Sequence, residues 1–322
     1  MTDVLKTIGE IGVVPVIKVE DVGKAADLAG ALKNGGIPVA EVTFRAAGAD
    51  KAIAAMRATH PDMLVGAGTV LTVDQVKLAA EAGAQFMVSP GFNPKVVGYC
   101  VEHGIPITPG CITPSEIEQA LEFGLTTVKF FPSEQSGGLA KMKALAGPYG
   151  GLKFIPTGGI DLKNLAEYLA YDRILACGGS FMVKEEYIKN GEWDKITALS
   201  RQAVDIVLGF SLVHVGINTG GEDEARSIVD GLSAIWPQPV SEIPNALFLG
   251  NAFVEVLKTT GIGRNGHIAI GTTSVERAMA HLKRRGVAFD ESTLAKAPNG
   301  KARFVYLAGE YGGFGVHLRL KD

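Results

Sequence analysis

Cysteine is scarce in this chain. The three present, Cys100, Cys111 and Cys177, have no CxxC spacing, so neither a disulfide framework nor a thiolate zinc site is expected, and the cytoplasm is the expected location. Charge of one sign is scarce too. The 31 basic and 34 acidic side chains leave a formal charge of -3, which provides no broad field to gather nucleic acid or anionic lipid. No run approaches the roughly 18 apolar residues that a membrane span needs, and the N-terminal MTDVLKTIGE has no basic stretch followed by an apolar core. Nucleic-acid and membrane partners are therefore not expected. The GxGxxG fingerprint of dinucleotide-binding folds is also missing after the first apolar run.

What is there is enough for a large core. Hydrophobic residues make up 47% of the 322, near the soluble average, and the length favours two domains. From residue 13 to about 183, eight β-rich runs alternate with Ala-rich segments: VVPVI, VAEVTF, MLVGAG, QFMVSP, IPITPG, TVKFFP, KFIPTGG and RILACGG. The intervening VGKAADLAGALKNGG and LTVDQVKLAAEAG have helical spacing and end in Gly. Eight such units in series predict an α/β chain forming a (β/α)8 TIM barrel with brief loops. An open doubly wound sheet is the alternative. One or two helices over 184–209 complete this domain, assigned to residues 1–209.

Residues 210–322 follow a different grammar. SLVHVGIN, EDEARSIVDGLSAI, ALFLG and NAFVEVLK read as strand, helix and strands, and GHIAIGT, SVERAMAHLKRRG, ARFVYLAG and FGVHLRL restart the same order. An imperfect repeat of a βαβββ unit, forming a smaller α+β domain, follows.

In the barrel, strand alternation sets Glu41, Thr43 and Arg45 of AEVTFR on one face, directed inward near the C-terminal mouth, where barrels carry catalytic residues. The same parity pairs Lys129 with Phe131 in TVKFFP. A lysine inside an apolar strand is a candidate for the Schiff-base nucleophile, or its stem snorkels to the rim. Lys18, at the end of the first run, is its rival. The glycine pairs TGGI (157–160) and CGGS (177–180) close the seventh and eighth strands, where barrels commonly bind phosphate.

Taken in order, VVPVI, EVTFR, VGAGTV, SPGFNP, VKFFP, PTGGI and GGS resemble the 2-keto-3-deoxy-6-phosphogluconate (KDPG) aldolase family, also called 2-keto-4-hydroxyglutarate (KHG) aldolase, over residues 13–183. The resemblance implies a cofactor-free class I aldolase of the Entner-Doudoroff type on a trimeric barrel. It cleaves KDPG to pyruvate and glyceraldehyde 3-phosphate, and 2-keto-4-hydroxyglutarate to pyruvate and glyoxylate. It implies Lys129 as the imine-forming residue and Glu41 as the proton shuttle. Arg45 and Thr69 would hold the pyruvyl carboxylate, Pro90 and Phe131 would line that pocket, and Thr157, Gly158, Gly159, Gly179 and Ser180 would bracket the phosphate. Ser133, Thr113 and Ser115 vary from the family pattern and bear on substrate fit.

The repeat places His214, Glu255, His267 and His317 at corresponding positions inside apolar strands. One such residue would be an ordinary strand-face side chain; four together suggest a metal site. This N/O set suits one divalent Zn, Ni, Mn or Fe ion, and its pattern resembles the glyoxalase I and vicinal oxygen chelate superfamily. His317 stands where that family more usually has Glu. Two other readings remain open: a cofactor-free phosphosugar epimerase or isomerase barrel, and a C-terminal domain serving structure or oligomerisation alone.

Overall fold

The computed structural model describes residues 3–321 and divides into two compact units between Val207 and Leu208. In the first, the eight apolar runs become strands: β1 Val13–Ile17, β2 Val39–Thr43, β3 Leu64–Gly68, β4 Met87–Val88, β5 Ile107–Thr108, β6 Thr127–Phe130, β7 Lys153–Pro156 and β8 Cys177–Gly179. Parallel pairing runs in the order β5-β4-β3-β2-β1-β8, and β6 pairs with β7. Bridges between Gly110 and Lys129, and between Thr157 and Gly178, join these two sets into a closed barrel. The near-continuous burial of β1, β2, β3 and β6 follows from this arrangement, because parallel strands are covered on both faces.

Short loops are possible because the helices start and stop on local signals. Thr72 with Gln75 and Thr113 with Glu116 form capping boxes at the helices Val73–Glu81 and Pro114–Glu122. Thr113 therefore has a structural task that the family pattern alone did not disclose. The helix Trp193–Leu208 approaches the C-terminus of Ala25–Asn34 closely, and Thr197 donates a 3.0 Å hydrogen bond to the Ala31 carbonyl.

The second unit is one eight-stranded sheet built from two βαβββ modules. β9 Ser211–Ile217, the helix Glu222–Ile235, β10 Val240–Ile243, β11 Ala246–Leu249 and β12 Val254–Leu257 form the first. β13 Gly266–Thr272, the helix Val275–Arg284, β14 Phe289–Lys296, β15 Ala302–Tyr311 and β16 Phe314–Leu320 form the second. The sheet order β10-β11-β12-β9-β13-β16-β15-β14 sets β9 antiparallel to β13 at the centre. β10 and β14 were not marked by apolar runs, because they are the polar edge strands. Leu247 and Val256 pack with Ala225 and Val229 of the first helix. Alternation turns their neighbours Phe248 and Glu255 to the opposite face. Among the described residues, no helix is long and apolar enough to cross a membrane.

The contact at Gly35 is testable. A Cβ there would lie 2.3 Å from Ser200 Cβ and 2.9 Å from the Thr197 carbonyl oxygen. Gly35→Ala should cost about 1–3 kcal/mol by overpacking and lower the barrel's melting temperature by roughly 2–10 °C in scanning calorimetry. An unchanged melt would mean that this helix pair is not closely packed.

Candidate active site

Two buried side chains meet inside the barrel. Lys129 of β6 and Glu41 of β2 are 5% and 4% exposed, and Lys129 Nζ donates to Glu41 Oε1 at 3.2 Å. Sequence parity also places Phe131 beside Lys129, and Nζ lies 5.2 Å from the centre of that ring. Ile8, Phe86, Val88 and Ile155 line the cavity around Glu41, Thr108 and Lys129. Room for the carboxylate comes from β3, since a Cβ on Gly68 would fall 2.3 Å from Glu41 Oε1.

The rival lysine is arranged differently. Lys18 contacts Glu20 at 2.7 Å and Glu185 at 3.2 Å, and those hydrogen bonds raise its pKa. This stabilises the protonated ammonium, which cannot attack a carbonyl. β2 ends at Thr43, so Arg45 lies beyond the strand and not within it, at an exposed position. It remains tethered there, its Nε donating to Thr43 Oγ1 at 3.3 Å while the Thr43 hydroxyl donates to the Ile17 carbonyl at 2.8 Å. Thr69 follows β3 in the left-handed region, at φ 56, and Pro90 follows β4 half-buried.

Gly158 and Gly159 turn after β7 with φ of 95 and 80. Thr157 Oγ1 beside them is buried without a hydrogen-bond partner. Gly179 ends β8, and Ser180 follows it at the surface. Sequence reading missed the group behind this turn. Ser133 Oγ lies 3.1 Å from Tyr168 OH, which also donates to Glu134, and the Glu134 amide donates to the Gly158 carbonyl. Ser133 is thus tied to the glycine turn, a link between distant segments that no local spacing could disclose. Burial, with the Glu134 hydrogen bond, pushes the Tyr168 phenol up to about 12.

In the second unit, ladder register gathers the four candidate ligands on one face. Glu255, Gly216 and His267 align in one row, while His214, Ala269, His317 and Tyr306 align in the next. His214, His267 and His317 offer nitrogens within 4.8 Å of one another. His214 Nε2 and His267 Nε2 are 3.0 Å apart, and Glu255 Oε2 is 3.3 and 3.1 Å from them respectively. The carboxylate therefore joins two of the three imidazoles. Gly216 makes room, since a Cβ there would strike the His267 ring at 2.2 Å.

Burial pushes His214 down to about 4 and His317 to about 3. These shifts favour neutral imidazoles, the form that ligates. Burial alone would raise the Glu255 carboxyl, but the His267 hydrogen bond and adjacent imidazoles hold it below its ordinary value. His317 Nδ1 is buried with no hydrogen-bond partner.

The profile of the KDPG and KHG aldolase family matches residues 4–199. A 2-dehydro-3-deoxy-phosphogluconate aldolase of Treponema pallidum is 54% identical over 64% of this chain and 99% of its own length. The KHG/KDPG aldolase of Escherichia coli is 43% identical over 60% and 91%. A crystal structure of KDPG aldolase from Legionella pneumophila, with pyruvate captured as a covalent carbinolamine, is 40% identical over 63% of this chain and 98% of its own, with a TM-score of 0.61.

The raised Tyr168 pKa has a definite sign. The folded chain favours the neutral phenol, so its contribution is full below about pH 10 and is lost as pH rises toward about 12. Urea midpoints should fall between about pH 10 and 12 in the parent and fall less steeply in Tyr168→Phe. Equal slopes would contradict the assignment.

Proposed function

The chain belongs to the KDPG and KHG aldolase family, and from that membership we propose that Lys129 and Glu41 carry the Schiff-base cleavage by which its barrel acts as a lyase. The buried 3.2 Å pair between Lys129 Nζ and Glu41 Oε1 supports the assignment most directly. The activity is class I aldol cleavage of KDPG to pyruvate and glyceraldehyde 3-phosphate.

Lys129 Nζ, having passed a proton to Glu41, attacks the C2 carbonyl of the substrate. Glu41 returns that proton to the carbinolamine hydroxyl, which leaves as water, and the protonated imine that remains is the electron sink adjacent to the breaking bond, with Glu41 again a carboxylate. Glu41 takes the C4 hydroxyl proton, C3–C4 cleaves, and its electron pair moves toward the imine nitrogen as glyceraldehyde 3-phosphate leaves. Proton return to C3 of the enamine and hydrolysis release pyruvate and restore the lysine. The imine itself supplies the sink, so the barrel needs no cofactor.

Arg45 and Thr69 hold the pyruvyl carboxylate, and Pro90 and Phe131 bound that pocket. Thr157, Gly158, Gly159, Gly179 and Ser180 bracket the phosphate, a role consistent with the unpartnered Thr157 Oγ1. Replacement of the phosphate-bearing tail by a carboxylate leaves the same cleavage available to 2-keto-4-hydroxyglutarate. A cytoplasmic trimer formed through the barrel belongs to the same reading.

For the second unit we propose a vicinal oxygen chelate-like module holding one divalent Zn, Ni, Mn or Fe ion through His214, His267, His317 and Glu255. Neutral imidazoles, a shared carboxylate oxygen and the orphaned His317 Nδ1 fit such an ion. When bound, the ion would supply Lewis-acid polarisation of a ligand oxygen. The four side chains would fix its place and its charge balance, while Gly216 leaves room for the His267 ring.

Two sets of variants test these assignments. Lys129→Ala should abolish KDPG cleavage in a folded chain, and Glu41→Gln should slow it by about 10²–10⁴-fold, the ordinary worth of positioned proton transfer. Near-parent turnover in either would remove that residue from its role. His214→Ala combined with His267→Ala should abolish divalent metal uptake while leaving the cleavage rate unchanged. Retained metal would contradict the metal site, and lost cleavage would contradict its independence from the barrel.

A further inference from the structure

The face that carries the histidines continues beyond them. Strand alternation places Arg319 on the same side of β16 as His317, and Lys321 follows the end of the strand at Leu320. The ladder sets Arg319 between Gly271 of β13 and Phe304 of β15. Gly271 has no side chain of its own to fill this position. The Lys321 stem approaches it, with Cγ and Cε at 3.1 Å from where a Gly271 Cβ would stand.

Aromatic rings form one wall. The centres of Phe304 and Tyr306 lie 4.5 and 5.0 Å from the His317 ring and 5.2 Å from each other. Arg319 is half-buried, and among the described residues it takes part in no ion pair. Glu222 and Glu242 pair with Arg226, and Lys258 pairs with Glu222 and Glu242, but no corresponding acid is provided for Arg319. Its positive charge nevertheless contributes to the downward shifts of His214, Glu255 and His317, so it is electrostatically part of their surroundings.

A half-buried guanidinium on the face of the histidine cluster is arranged for an anion brought from outside, because it presents a planar fork of donors with no ion-pair partner among the described residues. We infer that this cup receives a small 2-oxo or 2-hydroxy carboxylate, its carboxylate on Arg319 and its second oxygen directed toward the His214–His267–His317 cluster. The planar end of such a ligand suits the wall formed by Phe304 and Tyr306, and the oxygen on the adjacent carbon would point from Arg319 toward His317, two residues away on the same face of β16. Lys321 adds positive charge on the carboxylate side. The ligand class is also the one that the barrel handles. This inference rests on the metal site proposed above.

The test uses the full chain carrying Lys129→Ala, which prevents imine formation in the barrel, loaded with Co2+ and followed by visible absorption. Pyruvate should perturb the cobalt spectrum saturably, with acetate, which lacks the second oxygen, and inorganic phosphate both binding much more weakly. Adding Arg319→Met should weaken pyruvate binding at least about tenfold while Co2+ stoichiometry stays the same. That retained cobalt uptake also establishes that the cup is folded. Unchanged pyruvate affinity in the Arg319 variant, or phosphate binding as tight as pyruvate, would overturn the ligand assignment. Failure of the parent to take up Co2+ would instead overturn the metal site, and this inference with it.

Discussion

The barrel is organised around one expensive arrangement: an amine and a carboxylate held together away from water. Such a pair is a poor route to stability, because desolvation offsets much of the attraction and hydrophobic residues of similar volume often serve as well or better. The surroundings show how it is accommodated. β2 and β6 direct the two groups into the same interior, Gly68 leaves the carboxylate its space, and apolar side chains line the cavity. Its chemical use follows from the same burial. A half-buried lysine bridged by two glutamates, as Lys18 is, favours its ammonium form. Lys129 instead has one acid that can accept its proton and later move another within the substrate.

The second unit solves a related problem with a sheet. The helix Glu222–Ile235 covers one face, with Val229 packed against Val256 of β12, leaving the alternate face for polar groups. Four ligand-type side chains from β9, β12, β13 and β16 reach that face because the register places them in adjacent rows. Glycine and alanine between them, at Gly216 and Ala269, prevent their rings from being pushed apart. The repeat therefore does more than duplicate a fold: joining its halves at β9 and β13 brings together histidines that each module supplies separately.

Much of this could be read from the chain. Eight apolar runs match the eight barrel strands, and parity alone put Lys129 beside Phe131. The pairing of Lys129 with Glu41 could not be measured in sequence, since it depends on closure across the barrel. Alternation alone does not locate Arg45, which lies beyond the end of β2 at Thr43 and is held by its hydrogen bond to Thr43 Oγ1. The Ser133–Tyr168–Glu134 group was missed for a different reason: it joins segments through side chains that have no common spacing. β10 and β14 lacked apolar runs because edge strands present polar residues to solvent.

The central claim is that Lys129, and no other amine, becomes covalently joined to the 2-oxo acid. Reduction of the chain with borohydride in the presence of pyruvate, followed by peptide mass mapping, tests it directly. The account predicts a single reduced pyruvyl adduct on Lys129. An adduct on Lys18, or no adduct under conditions in which the chain cleaves KDPG, would contradict it.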